Sequence, residues 1–114
     1  MTSGMQTVIY PVHDLAQAKT VYSALLGAAP IVDEPYYVGF RVDDQDIGLD
    51  PNGHNKGMTG PVGYFLVEDI RASLQSLLDA GATAKQAVTD VGGGKLIATV
   101  TDADGNAIGL MQSP

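Results

Sequence analysis

Apolar and polar positions alternate in two ways along the chain, one typical of strands and one typical of helices. Residues 7–12 alternate and are rich in β-formers, which predicts a first strand. Asp14 then suits the N-cap of a helix, and Gly27 suits its C-terminal cap. The apolar positions between them that follow helical spacing are Leu15, Ala18, Val21, Tyr22, Leu25 and Leu26.

The same kind of pattern predicts the remaining elements. Residues 1–4 are expected to be a loose start, and residues 51–60 a linker rich in turn formers. A second helix is expected between Asp69 as N-cap and Gly81 as its end, with Ile70, Leu74, Leu77 and Leu78 on one stripe. The further predicted strands are 29–32 (before a break at Pro35), 36–42, 46–50, 62–67, 84–91, 95–101 and 107–112.

Three landmarks recur in the same order. Val12-His13-Asp14-Leu15 is matched by Val67-Glu68-Asp69-Ile70, 55 residues later (67 − 12). Gly27-Ala28 is matched by Gly81-Ala82, and Ile47-Gly48-Leu49 by Ile108-Gly109-Leu110. An internal repeat of this kind predicts one structural unit present twice.

The fold class that follows is α+β, with two tandem βαβββ modules. Module one covers about residues 5–50 and module two covers residues 61–113, within a single domain of residues 1–114. One helix covers only one face of each module's strands. We therefore expect curved mixed sheets around a shared cleft.

Composition restricts the possible functions. The absence of cysteine excludes disulfides and thiolate chemistry, and 45% apolar residues suffice for a core. No apolar run is long enough to span a membrane and no signal peptide is evident, so we expect a cytoplasmic protein without a membrane partner. The net charge of −7 disfavours nucleic acid and permits a cationic ligand, although solubility explains it more simply.

Both copies carry short motifs that resemble the vicinal oxygen chelate superfamily. The motifs are Val12-His13-Asp14-Leu15, Val21-Tyr22, Leu25-Leu26-Gly27, Val67-Glu68-Asp69-Ile70, Ala80-Gly81-Ala82 and Asp102-Ala103-Asp104-Gly105-Asn106. The superfamily includes glyoxalase I, extradiol dioxygenases, and fosfomycin and bleomycin resistance proteins. The resemblance covers essentially the whole chain and implies the fold, but the fold hosts several chemistries.

The resemblance also implies where a metal would bind. Enzymes of the superfamily hold a divalent metal with His or Glu from the first and last strand of each module. Carried over, these positions are Thr7, Gly48, Val62 and Gly109. Such residues cannot form an ordinary site for Zn²⁺, Ni²⁺ or Fe²⁺, so we predict no metal, no cofactor and none of the usual catalysis.

Strand alternation predicts a ligand-binding face. Val8, Tyr10, Val12, Phe65 and Val67 are expected to face the helices. The residues predicted to bind a ligand are Thr7, Ile9, Tyr37, Arg41, Asp50, Tyr64, Leu66, Thr99 and Met111. An apolar, aromatic face with two charged residues suits a flat organic molecule. In the alternative interpretation these side chains pack together or lie under a dimer partner, and Arg41 pairs with Asp50.

Two functions remain open. The first is a metal-free protein that binds a small aromatic or cationic organic molecule, such as an antibiotic that it sequesters or a flavin. This protein is expected to be a homodimer, because its sheets leave exposed edges. The second is a metal-dependent glyoxalase-like lyase or isomerase, or a dioxygenase. It would require a non-standard site at which His13, His54 and Asp50 converge, whereas the simpler interpretation places both histidines at the surface.

Overall fold

The computed structural model of the chain describes residues 2–114 and contains two βαβββ modules in tandem. The first has β1 (Thr2–Pro11), α1 (Leu15–Leu26), β2 (Val32–Glu34), β3 (Tyr37–Val42) and β4 (Gln45–Asp50). A short 3₁₀ helix (His54–Lys56) precedes the second, which has β5 (Val62–Val67), α2 (Ile70–Asp79), β6 (Thr83–Asp90), β7 (Leu96–Thr101) and β8 (Ala107–Gln112). This order confirms the predicted α+β class. Within residues 2–114, neither helix is long and apolar enough to cross a membrane.

Contacts divide the chain into two compact units. The first unit is Thr7–Val62, and the second unit is Gly63–Pro114 together with residues 2–6. In the first unit the strand order is β2-β3-β4-β1, with β1 parallel to β4 and the other pairs antiparallel. In the second unit the strand order is β5-β8-β7-β6. Strand β5 is parallel to β8, and the pairs β8–β7 and β7–β6 are antiparallel.

The helices begin where the sequence predicts, because an aspartate accepts a main-chain hydrogen bond at each start. Asp14 accepts from the Gln17 N–H at 3.0 Å, and Asp69 accepts from the Ala72 N–H at 3.1 Å. Gly27 ends α1 in the left-handed conformation, with φ 63°. The second helix ends at Asp79, just before the predicted Gly81.

Each helix covers one face of the strands in its own unit. The core of the first unit consists of Ala18, Val38, Phe40 and Leu49, against which Tyr10, Val12, Leu15, Tyr22, Leu26 and Ile47 pack. The core of the second unit consists of Val67, Ile70, Ala98 and Leu110, with Leu74, Leu77, Val88 and Leu96 around it. These clusters confirm that Tyr10, Val12 and Val67 face the helix side, and alternation places the predicted binding residues on the other face.

Two predictions about local structure are wrong, and the apolar stripe of α1 is covered only in part. Residues 2–4 are not loose but belong to β1, whose first part lies beside β5 in the second unit, so their partner is distant in sequence; Met1 lies outside the described residues. The strand expected at 29–32 begins at Val32. On α1, Val21 and Leu25 are 48% and 73% exposed, because helical spacing alone does not say how wide the covered stripe is.

Candidate functional site

The face of the first unit that points away from its helix is organised around Gly48. This residue pairs with Ile9 on β1 and with Gly39 on β3. The ring of Tyr37 lies over it: a Cβ atom built on Gly48 would contact the Tyr37 hydroxyl oxygen, and would lie 2.6 Å from Tyr37 Cζ and 2.7 Å from Ile9 Cδ1. Since ordinary contacts are 3.4–4 Å, the tyrosine fills the space that a side chain at position 48 would need.

The second unit repeats this arrangement around Gly109. Gly109 pairs with Tyr64 on β5 and with Thr99 on β7. A Cβ atom built on Gly109 would contact Tyr64 Cδ2, and would lie 2.6 Å from Tyr64 Cγ and 2.8 Å from Tyr64 Cε2. Three atoms of one ring therefore lie closer than an ordinary contact to the position that a Cβ atom of residue 109 would take. Here too a tyrosine covers a glycine in the last strand.

The two arrangements exchange their aromatic and aliphatic positions. On the parallel neighbouring strand, the residue paired with the glycine is Ile9 in the first unit and Tyr64 in the second. On the antiparallel neighbouring strand, the glycine pairs with Gly39 in the first unit and with Thr99 in the second. The residue two positions earlier on that strand is Tyr37 in the first unit and Ile97 in the second. Each glycine thus has one tyrosine and one isoleucine at its neighbouring positions, contributed by opposite strands.

The predicted binding residues differ in how accessible they are. In the first unit Thr7 is buried, Ile9, Tyr37 and Asp50 are half-buried, and Arg41 is exposed. In the second unit, the side chains of Thr99 and Met111 are buried, whereas Tyr64 and Leu66 are half-buried. Leu66 pairs with Met111, so the four residues of this unit share one face. The accessible residues of both faces are therefore mostly aromatic and aliphatic.

Arg41 and Asp50, the two charged residues predicted on the face of the first unit, are paired, but not with each other as the alternative interpretation expected. The Arg41 guanidinium donates to Asp46 at 2.9 Å, because the hairpin register places the two residues opposite each other. Asp50, 13% exposed at its side chain, accepts from Lys56 at 2.9 Å and from the Asn52 N–H at 2.8 Å. These two partners, Asp46 and Lys56, were not among the residues predicted from the sequence. Counting outward from the Asp43-Asp44 turn would have found Asp46.

His13 and His54 come together at the end of β1. Their rings stack with centroids 3.9 Å apart and planes at 7°. His13 is exposed as predicted, but His54 is half-buried, and its Nδ1 atom has no hydrogen-bond partner in the described part of the chain. A 3₁₀ helix (His54–Lys56) within the predicted linker 51–60 places His54 there.

A divalent metal does not fit the positions that the superfamily would use. Thr7, Val62 and the two glycines carry neither imidazole nor carboxylate, and the tyrosine rings fill the space in front of Gly48 and Gly109. Between residues 2 and 114, no group of three or more His, Asp or Glu side chains could hold a metal ion elsewhere. The stacked histidine pair therefore lacks the third ligand that the alternative function would need.

Comparison with known families identifies the chain. Residues 4–110 match the Glyoxalase/Bleomycin resistance protein/Dioxygenase superfamily. The chain belongs to this superfamily. The match covers both modules and confirms the resemblance to the vicinal oxygen chelate fold. No protein with a curated description matches the chain.

Solved structures agree with this fold. An NAD-dependent benzaldehyde dehydrogenase from Legionella pneumophila has TM-score 0.76 and 18% identity, with 95% of this chain and 98% of that chain covered. A glyoxalase/bleomycin resistance protein/dioxygenase superfamily member from Vibrio splendidus 12B01 has TM-score 0.73 and 15% identity, covering 94% and 97%. A methylmalonyl-CoA epimerase from Mycobacterium tuberculosis has TM-score 0.69 and 21% identity, covering 97% and 89%. At these identities the likeness concerns the fold alone.

Proposed function

We propose that this superfamily member is a metal-free binding protein for a small, flat organic molecule. The molecule lies against the tyrosine-covered glycine on the sheet face of a unit, and it is held without chemical conversion. Sequestration of an aromatic antibiotic is one biological use of such binding, and retention of a flavin is another.

The observation that carries the proposal is the pair of tyrosine rings over Gly48 and Gly109. At both positions a side chain long enough to reach a metal would collide with the ring, since the first atom of that side chain would already lie 2.6 Å from Tyr37 Cζ or Tyr64 Cγ. The space used for metal ligation in the superfamily is thus given to aromatic surface. Rings of this kind offer large, rigid contact area to a planar ligand.

The chemistry of the remaining residues supports binding rather than turnover. The superfamily's ligand positions hold no imidazole or carboxylate, and the chain has no cysteine nucleophile. The carboxylates nearest Gly48 along β4, Asp46 and Asp50, are held in ion pairs at 2.9 Å. The half-buried apolar and aromatic residues of the face match the usual lining of a small-molecule site.

Metal analysis and ligand binding on the purified protein test the proposal. We expect substoichiometric metal by mass spectrometry after purification without chelators, and binding of riboflavin or phenazine by equilibrium dialysis. Tyr37→Ala and Tyr64→Ala should each weaken this binding about tenfold, because a stacked aromatic contact contributes about 1–1.5 kcal/mol. Tyr36→Ala is the matched control, since Tyr36 is 66% exposed and precedes β3.

Two outcomes would contradict the proposal. One is stoichiometric bound metal together with an activity that chelation abolishes, which would favour the metal-dependent alternative. The other is equal binding by wild type and both tyrosine variants, with circular dichroism showing that the variants are folded.

We also propose that the protein forms a homodimer. All three residues of β2 are exposed, and so are seven of the eight residues of β6. In the described part of the chain, each of these two strands has a hydrogen-bonded neighbour on one side only. Such edges are available for pairing with a second copy. Sedimentation velocity at micromolar concentration should give the mass of two chains, and a stable monomer would exclude this assembly.

A further inference from the structure

We infer that the face of the first unit selects a ligand that carries a positive charge, and that Glu34 is the residue that makes this selection. This inference rests on the proposed function and specifies its ligand class. The net charge of −7 alone would not identify such a residue, because the field at one face depends on the charged groups that lie there.

Strand register places Glu34 beside the ring of Tyr37. The two residues are directly opposite each other in the antiparallel pair β2–β3. Opposite residues point to the same face of a sheet, with their Cβ atoms about 4.5–5.5 Å apart. The Glu34 side chain therefore starts next to the ring, on the face that points away from α1.

The Tyr37 ring lies along the sheet over two glycines. A Cβ atom built on Gly48 would lie 2.6 Å from Tyr37 Cζ, and one built on Gly39 would lie 3.0 Å from Tyr37 Cε2. Two neighbouring strands, β3 and β4, are thus in contact with the same ring. Tyr37 is half-buried rather than buried, so part of the ring remains accessible. The face of a tyrosine ring attracts a cation held above it.

Glu34 differs from the other charged residues of this face in having no partner for its carboxylate. Arg41 binds Asp46 and Lys56 binds Asp50, each at 2.9 Å. Glu34 is exposed, and within residues 2–114 its carboxylate makes neither an ion pair nor a hydrogen bond. The charges of the two pairs cancel, which leaves the charge of Glu34 uncompensated. A positive group can therefore approach the ring and gain this counter-charge without displacing a residue of the protein.

The second unit has no charge at the corresponding positions. There Ile97 takes the place of Tyr37, and the residue opposite Ile97 on β6 is Thr89. The Thr89 hydroxyl donates to the Ala87 carbonyl oxygen at 2.8 Å. Selection for a positive charge is therefore expected at the Tyr37 ring and not at the Tyr64 ring.

Two planar tricyclic probes of similar size separate charge from shape. Phenazine is neutral, whereas proflavine is a cation at pH 7.5. By equilibrium dialysis on the wild-type protein in about 50 mM NaCl, we expect proflavine to bind about tenfold more tightly than phenazine, because only proflavine gains a cation–ring contact and a counter-charge. Tyr37→Ala should remove this preference, whereas Tyr64→Ala should retain it.

Glu34→Gln tests the selecting residue directly, since it removes the charge and keeps the shape. It should lower the ratio of proflavine to phenazine affinity about fivefold and leave phenazine binding unchanged. Asp104→Asn is the matched control, because it removes one exposed negative charge from the last turn of the second unit, and it should leave the ratio unchanged. Raising NaCl to about 0.5 M should weaken proflavine binding to wild type more than to Glu34→Gln, because salt screens an exposed ion pair.

The outcomes distinguish this inference from the proposed function. If phenazine binds as tightly as proflavine while Tyr37→Ala weakens the binding of both, the site exists without charge selection, and the inference is overturned. If Asp104→Asn lowers the ratio as much as Glu34→Gln, net charge rather than Glu34 governs binding, which also overturns it. If neither probe binds at about 1 mM, the proposed function fails as well.

Discussion

Replacing Gly109 by alanine tests the contact between a tyrosine ring and the last strand of the second unit. The new methyl group would lie 2.6 Å from Tyr64 Cγ and 2.8 Å from Tyr64 Cε2, where ordinary contacts are 3.4–4 Å. Because Cγ lies near the base of the side chain, the ring cannot escape by moving only its tip. The ring has to swing away from the strand, or the paired strands β5 and β8 have to separate.

The expected cost follows from two opposing effects. Overpacking of this kind costs about 1–3 kcal/mol, whereas alanine in a strand is favoured over glycine by about 0.5–1 kcal/mol. We therefore expect Gly109→Ala to lower the free energy of unfolding by about 1–2 kcal/mol. With a urea dependence of about 2 kcal/mol/M, the unfolding midpoint should fall by about 0.5–1 M.

A double-mutant cycle isolates the contact from other effects. In a Tyr64→Ala background the obstacle is gone, so Gly109→Ala should become neutral or stabilising by about 0.5–1 kcal/mol. Gly4→Ala serves as the control, because position 4 lies in β1 with open space around it and should tolerate alanine. The reasoning is refuted if Gly109→Ala costs the same with and without the Tyr64 ring.

Further predictions concern the caps and the last turn, and urea unfolding checks each. Asp14→Ala and Asp69→Ala should each lower stability by about 1 kcal/mol through loss of a helix cap, and unchanged midpoints would argue against that role. Gly27→Ala should cost about 1–2 kcal/mol because φ at this position is 63°; a variant as stable as wild type would mean that α1 ends differently. The hydrogen bond from the Asn106 side chain is the main cause that lowers the pKa of Asp102 below its ordinary 3.8. The ionised Asp102 carboxylate should therefore stabilise the fold above pH 3.8, and this effect should be lost as the pH falls through the lowered pKa. Asp102→Ala should then destabilise the protein at pH 7 and match the stability of wild type at low pH. A difference that persists undiminished in acid would contradict this assignment.

The order of elements could be predicted from the sequence because its signals are local. An aspartate before an apolar stripe starts a helix, and strict alternation marks a strand, wherever the segment later lies. Strands β5 and β8 have the predicted bounds for this reason. The internal repeat then identified two equivalent modules and placed Gly48 and Gly109 at equivalent positions.

Features that depend on distant partners were not predictable in the same way. The first residues of β1 carry no strong strand pattern, and they are extended because β5, some sixty residues later, lies beside them. The pairing of Asp50 with Lys56 arises from the 3₁₀ turn, which brings the lysine back toward β4. The same 3₁₀ turn places His54 on His13. No local pattern around either histidine predicts this contact.

The candidate site shows the same division within a single contact. Alternation along each strand was enough to place Tyr64 and Gly109 on one face, since side chains follow a period of two. That the ring lies directly on the glycine depends on the register between β5 and β8, two strands separated by a helix and a hairpin. Strand register is set by packing across the whole sheet rather than by neighbours in the chain. Local patterns therefore specified which residues share a surface, and only the folded chain brought particular atoms into contact.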